Sequence, residues 1–250
     1  MAELTRGRAA ALIIGNELLS GKIADENLVV LARTLRSLGR VLDRVVMVRD
    51  ESDVITREVK ELSSSREVLF TSGGVGPTHD DVTIDAVAAA FEVDVIASAE
   101  MAAMLRGFYG EEITDDHLRM ARIPRGGRLV TTPEMPWPTI VMHNVWILPG
   151  VPEIFAMKMP VVVSELGEGA AFVSTAVYAK LDEGQLKPSL DKVCAAHEGV
   201  EIGSYPKWRH PRYRTQITFD GASSERVMAA RDAFVALLPD GARVDLDAED

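Results

Sequence analysis

The chain has 250 residues, 47% hydrophobic and 26% charged, the balance of a globular protein with room for one large domain or a medium and a small one. A formal net charge of −11 argues against nucleic acid as the main partner, because no basic cluster is dense enough to neutralise a run of phosphates. The one cysteine, Cys194, excludes an internal disulfide and fits a reducing cytoplasm, and no apolar run approaches the length of a membrane span.

The N-terminal MAELTRGRAA runs straight into a predicted strand and offers no separate signal segment. Residues 9–14 (AAALII) read as a short buried strand ended by Gly15. Over 25–38, Leu28, Leu31, Ala32, Leu35 and Leu38 recur at helical spacing, and Gly39 stops the run. A second strand (41–48) and helix (53–62) follow, then a third strand (68–71) and helix (84–91). Strands alternating with helices of this length predict right-handed βαβ units and a mostly parallel sheet covered on both faces. In such sheets ligands sit beyond the carboxyl ends of the strands. The segments GNELL (15–19), RDES (49–52) and SGGVGPTHDD (72–81) are therefore expected to meet in one crevice.

Residues 97–127 read as helical, with a charged middle (110–117) placed to shield that crevice. Residues 139–143 and 145–148 alternate around His143-Asn144 as a hairpin and lead into the stiff turn PGVPE (149–153). Pro160 and GEGA (167–170) mark the expected boundary between a domain at 1–168 and a smaller one at 169–250. The small domain reads as strand 175–181, helix 183–197, strands 200–204 and 213–219, helix 224–238 and strand 243–246. That βαββαβ order is the split pattern of a ferredoxin-like α+β domain. Cys194 falls in an apolar helical phase (LDKVCAAH) and is expected in the core.

The segment TSGGVGPTHDDVT (71–83) carries the chemistry. It joins an apolar strand to an apolar-periodic helix, and its glycines let a ligand approach the main chain. Its open N–H groups and the helix dipole favour an anion, and Asp80, Asp81 and Asp85 follow closely. A phosphate cradle beside carboxylates implies a cation or a proton transfer between them. Ordinary capping and dipole compensation are the competing reading of those aspartates. His79 stands where GxGxxG needs its third glycine, so a dinucleotide fold of that type is not expected. GNELLSGK (15–22) fails as a P-loop, with five residues between its glycines and Ile23 in the Ser/Thr position.

GNELLSGKIADEN, VRDE, TSGGVGPTHDDVTIDAV and ILPGVPE, in that order, resemble the molybdopterin-binding (MoCF-type) domain. The branch most similar is that of the CinA competence/damage-inducible proteins and the molybdopterin-binding-like domain of eukaryotic FAD synthases. The likeness covers roughly residues 8–160. It continues through GSYPKW and YRTQITFD, which look like the FAD synthase version of the small domain. The resemblance implies a three-layer α/β sandwich with a mostly parallel sheet, binding a pterin- or nucleotide-like phosphate ligand. It also implies metal-dependent hydrolysis of a nucleotide pyrophosphate such as ADP-ribose or FAD. The alternative is a non-catalytic molybdopterin or nucleotide binder linked to molybdenum cofactor metabolism. The nicotinamide-mononucleotide deamidase and adenylyl-transferase domains found in relatives are not among these 250 residues, so neither activity is expected of them.

Under that resemblance Asp81, Asp50 and Asp85 are the catalytic candidates. Asp81 and Asp85, four apart, are the expected ligands of a divalent cation, magnesium, manganese or cobalt. Asp80 is either a further carboxylate of the site or a solvated cap. Ser72, Gly73, Gly74 and Gly76 are expected to contact phosphate. Thr83 is read as the N-cap of its helix, with a phosphate contact as the other reading. Glu17 is a ligand-facing carboxylate or a helix-start residue, and Asn27 orients a ring or ribose or starts a helix. Gly150 and Pro152 shape a crevice wall. Lys207 and Arg209 either reach a phosphate or pair with the acidic surface. The expected partners are a small phosphate-bearing molecule and further copies of the chain in a homo-oligomer, with no nucleic acid and no membrane.

Overall fold

The structure, a computed structural model, describes residues 7–167 and 171–246. The chain divides into two compact units, Met1–Gly169 and Ala170–Asp250. In the first unit β1 (Arg8–Ile14) leads through a one-turn helix α1 (Asn16–Leu19) to α2 (Asn27–Ser37), β2 (Val41–Val48), α3 (Ser52–Ser65), β3 (Val68–Ser72) and α4 (Thr83–Ala90). Then come β4 (Val95–Ala97), α5 (Ala99–Tyr109), α6 (Asp115–Arg119), β5 (Arg122–Pro124), β6 (Arg128–Thr132), β7 (Met135–Met142), β8 (Val145–Leu148) and α7 (Pro152–Leu166).

The main sheet runs β2-β1-β3-β8-β7-β6. Its first four strands are parallel, β7 runs antiparallel to β8, and β6, antiparallel to β7, returns to the common direction. The strand period of two explains how one sheet feeds two cores. Ala10, Leu12 and Ile14 of β1 face α3, α4 and α5, packing with Ile55, Val59, Val87 and Leu105. Ala9, Ala11 and Ile13 face the other way, onto Leu31 and Leu35 of α2 and Phe155 and Val162 of α7. The result is three layers, as the resemblance implies. Such a strand is apolar on both sides, which is why AAALII carries no alternation.

The predicted helical stretch 97–127 is instead broken. Gly110, at φ 55°, ends α5, and Thr114 and His117 cap α6 reciprocally. Arg122–Pro124 then pairs antiparallel with Val95–Ala97, a two-stranded sheet that the sequence does not announce. Pro160 sits inside α7 and marks no boundary, and residues 168–170 of GEGA lie outside the described residues.

The second unit runs β9 (Val173–Ala179), α8 (Glu183–Ala196), β10 (Glu201–Pro206), β11 (Thr215–Gly221), α9 (Ser224–Ala236) and β12 (Arg243–Val244). Its antiparallel sheet has the order β10-β11-β9-β12, the ferredoxin-like arrangement that βαββαβ predicts. Val177, Ala179, Ile217 and Phe219 pack against Leu186, Val193, Val227, Ala230 and Phe234 of the two helices. Cys194 is exposed on α8, contrary to its expected burial; Val193 takes the inward position. Lys207 and Arg209 are exposed in this unit. Among the described residues, no helix is long and apolar enough to cross a membrane.

Candidate functional site

The parallel strands end at one edge of the main sheet, and a cavity of about 980 Å³ opens there. That is the upper end of the ~300–1,000 Å³ usual for small-molecule sites. Residues of the first unit line it, and they follow the strand order across the edge. Asp50 comes after β2, Glu17 after β1, Ser72 ends β3, and Gly73, Gly74 and Gly76 follow it. Pro149 and Gly150 follow β8, and Trp137 and Pro138 come from β7, which enters the edge antiparallel. α5 and α6 close one wall with Phe108, Tyr109 and Arg119, whereas none of the charged middle (110–117) expected to shield the crevice is among the residues that line it.

The glycine loop is seated tightly. Gly73 has φ 108°, and a Cβ there would lie 2.1 Å from the carbonyl oxygen of Ile14. Gly74 has φ 65°, and a Cβ would meet the Thr83 hydroxyl at 2.4 Å. Only glycine permits this approach of β3 to β1. Gly74, Val75 and Gly76 line the cavity, and among the described residues no acceptor takes their N–H groups. Thr83 fastens the loop from beneath. Its Oγ1 donates to the Gly73 carbonyl at 2.8 Å and its N–H to the Gly74 carbonyl at 2.9 Å.

Thr83 is therefore neither the N-cap nor a lining residue. Val82 occupies the cap position with no side-chain bond, and the Thr83 hydroxyl is spent on the loop. Thr83→Val, which keeps the shape and removes that buried donor, is expected to cost about 1–2 kcal/mol of stability, read as a lowered urea midpoint.

Asp81 folds back on the loop. Its Oδ2 accepts from the Thr78 N–H at 2.7 Å and faces the Thr78 hydroxyl, which also faces Asp80 Oδ1. Gly76 leaves the space that Asp81 fills, a Cβ there lying 2.7 Å from Oδ2. The Thr78 hydroxyl bond holds the Asp80 carboxyl below its usual range. Asp85 does not join Asp81. It forms an ion pair with Arg122, which β5 delivers, and its side chain is not part of the cavity lining. The expectation that the two share one face of the loop–helix junction fails because α4 begins at Thr83. Asp81 lies in the loop before it, where helical spacing does not apply.

Asp50 Oδ2 accepts the N–H of Asn16 at 2.8 Å, which ties the β2 end to the start of α1. Burial pushes its pKa above the ordinary 3.8; the Asn16 N–H opposes this, and the charges of Glu17 and Asp80 add to it. Glu17, Asp50 and Asp80 thus make one acidic end of the cavity. Among the described residues, no group of three or more His, Cys, Asp or Glu is placed to hold a metal ion by itself.

Asn27 is buried at the start of α2. Asp25 accepts from the Leu28 N–H at 2.7 Å and fixes that turn. Asn27 Nδ2 donates to Ser72 Oγ at 2.9 Å and to the Gly150 carbonyl at 2.8 Å, joining the ends of β3 and β8. The carbonyl of Gly150 only accepts, which assigns the amide orientation. Asn27 Oδ1 is left buried without a protein partner, among the described residues, in a side chain that lines the cavity.

Lys158, Trp137, Phe108 and Thr78 are lining residues that the sequence reading did not single out. Lys158 carried a signal: a lone lysine in the apolar helical run FAMKMPVVV, a residue type seldom buried without a partner.

The glycine loop with its open N–H groups and the acidic end are built from the residues that carried the family resemblance. Residues 10–168 fit the family model described as a probable molybdopterin binding domain. The chain belongs to this family. Residues 171–247 fit the model of the FAD synthase middle domain, which sets the protein in the CinA and FAD synthase branch of the molybdopterin-binding-like proteins. A protein of Archaeoglobus fulgidus is 29% identical over 91% of this chain and 96% of its own length. A probable FAD synthase of Caenorhabditis briggsae is 31% identical over 93% of this chain but only 50% of its own length. The chain thus spans about half of that relative. The crystal structure of CinA from Thermoplasma acidophilum superposes with a TM-score of 0.59 at 28% identity, over 64% of this chain and 98% of that one.

Proposed function

We propose that this molybdopterin-binding-like domain hydrolyses the pyrophosphate bond of a dinucleotide such as ADP-ribose or FAD, with a divalent cation, magnesium, manganese or cobalt, as cofactor. The observation that carries this reading is the acidic end of the cavity beside the glycine loop. There Asp50, half-buried, is held above its ordinary pKa by burial and by the charges of Glu17 and Asp80. Carboxylates set close at neutral pH are repelled by one another and by an incoming phosphate, and a cation removes both costs. The residues fit a cation shared with ligand phosphates better than a cage made by protein alone, since magnesium-type sites take one or two carboxylates and let phosphates supply the rest. Asp81 would hold it, with Asp50, Glu17 and Asp80 adjacent; Asp85, paired to Arg122, would not.

When bound, such a cation supplies charge neutralisation and a more acidic water. The chain's own residues do the rest. The N–H groups of Gly74, Val75 and Gly76 donate to one phosphate in a fixed cradle. Asn27 Oδ1 takes a ligand hydroxyl or amine and so sets the ligand's position along the strand edge. Asp50, whose pKa burial raises above its ordinary value, takes a proton from the attacking water.

The test is incubation of the purified protein with ADP-ribose, FAD and NAD, with and without each metal, and chromatography for AMP. AMP is expected only with metal and is expected to disappear with EDTA. Failure to release AMP under any metal overturns the hydrolase reading. It would leave the family's second possibility, a molybdopterin or nucleotide binder without turnover.

A further inference from the structure

The far end of the cavity from the carboxylates has a different chemistry. β7 lies two strands from β3, so Trp137 and Pro138 stand about 10 Å along the sheet edge from the glycine loop. Phe108 reaches this end from α5, its ring edge-on to Trp137 with centroids 5.8 Å apart. Phe108 is 72% exposed although it is a large apolar side chain, which leaves a ring face open to a ligand. From α7, Lys158 reaches the backbone of β7 at this end and is only 3% exposed. Its Nζ donates to the carbonyls of Trp137 and Pro138. An ammonium has three donors. Among the described residues no carboxylate pairs with Lys158 and no acceptor takes its third N–H, yet the side chain lines the cavity. A buried cation without a counter-charge is costly to a fold, and burial lowers its pKa to about 8. Two backbone carbonyls hold it in place without neutralising it.

We infer that this end is a ring subsite, in which a flat heteroaromatic ring lies against Phe108 and Trp137 and offers a ring carbonyl oxygen to the third N–H of Lys158. The inference rests on the reading of the glycine loop as a phosphate cradle, and it specifies the other half of the ligand. Rings bearing oxo groups, as in flavins and pterins, meet both requirements; adenine stacks equally well but has no carbonyl to offer. Lys158 is thus a specificity-determining residue, and the hydrolytic step does not pass through it.

FMN, AMP and inorganic phosphate, titrated calorimetrically into the full chain with and without magnesium, separate the possibilities. FMN and AMP share a phosphate and differ in the ring, and neither contains a pyrophosphate, so binding is read independently of turnover. FMN is expected to bind at least about tenfold more tightly than AMP. Lys158→Met is expected to weaken FMN about 10- to 100-fold while changing AMP and inorganic phosphate less than about threefold. Equal loss for inorganic phosphate would assign Lys158 to the phosphate and overturn the inference, as would an unchanged FMN affinity. Should Lys158→Met lose its native circular dichroism, Phe108→Ala decides, because that side chain is exposed. It is expected to weaken FMN and AMP by about tenfold each and phosphate not at all, and unchanged FMN binding refutes the subsite. FMN binding that depends on Lys158, in a protein that releases no AMP, would keep the ring subsite and remove the hydrolase.

Discussion

Asp50→Asn is expected to lower metal-dependent AMP release by about 10²–10⁴-fold while leaving the protein at least as stable as the parent. An asparagine keeps the acceptor for the Asn16 N–H, which the structure places 2.8 Å from Asp50 Oδ2, so the junction of β2 and α1 survives. What it removes is a charge that the fold tolerates poorly. Because burial raises the Asp50 pKa above 3.8, the native state binds more protons than the unfolded chain between 3.8 and that raised value. The contribution of Asp50 therefore favours folding below pH 3.8 and is lost as pH rises through its native pKa. At neutral pH the ionised group is a cost. Melting curves of the two proteins should accordingly coincide in acid and separate toward pH 7, with the variant higher. Asp50 is half-buried and water screens its neighbours, so the gain is small, about 1–2 °C. Magnesium should raise the melting temperature of the parent at pH 7 and of the variant far less. A variant that melts lower at pH 7, or that still turns over, would show that Asp50 serves the fold alone.

Gly73→Ala is expected to damage both the fold and the phosphate cradle. The added Cβ would lie 2.1 Å from the Ile14 carbonyl oxygen, at a φ of 108° that side chains rarely adopt. The backbone must leave that conformation, and the end of β3 must move away from β1. The two costs together come to about 3–5 kcal/mol. Phosphate binding should vanish with them, since the same movement misplaces the N–H groups of Gly74, Val75 and Gly76. Gly21 supplies the control: its φ is 72°, but nothing lies within 4 Å of the added Cβ. Gly21→Ala should cost only about 1 kcal/mol and leave phosphate binding unchanged. Equal urea midpoints for the two variants would refute the tight seating of the loop.

Much of this was legible in one dimension. Strand and helix periods, with glycines at the stops, determined the βαβ units of the first unit and the βαββαβ order of the second. Because parallel connections are right-handed and strand ends share an edge, the convergence of GNELL, RDES and the glycine loop also followed from sequence. Asp50, Glu17 and the glycines were found by their place after strands. The tertiary structure alone decided the rest, because it depends on which distant segments meet. Asp85 looked like a partner of Asp81 at helical spacing, but the helix starts between them and Arg122, 37 residues away in sequence, takes its carboxylate. The Thr83 hydroxyl went to Gly73 rather than to a cap, and only the loop's return path shows it. Lys158 stands in an apolar helix and Trp137 on an antiparallel strand, and neither is local to the other or to the loop. Periodicity reports what each segment buries; the chemistry of a cavity is set by side chains that no period connects.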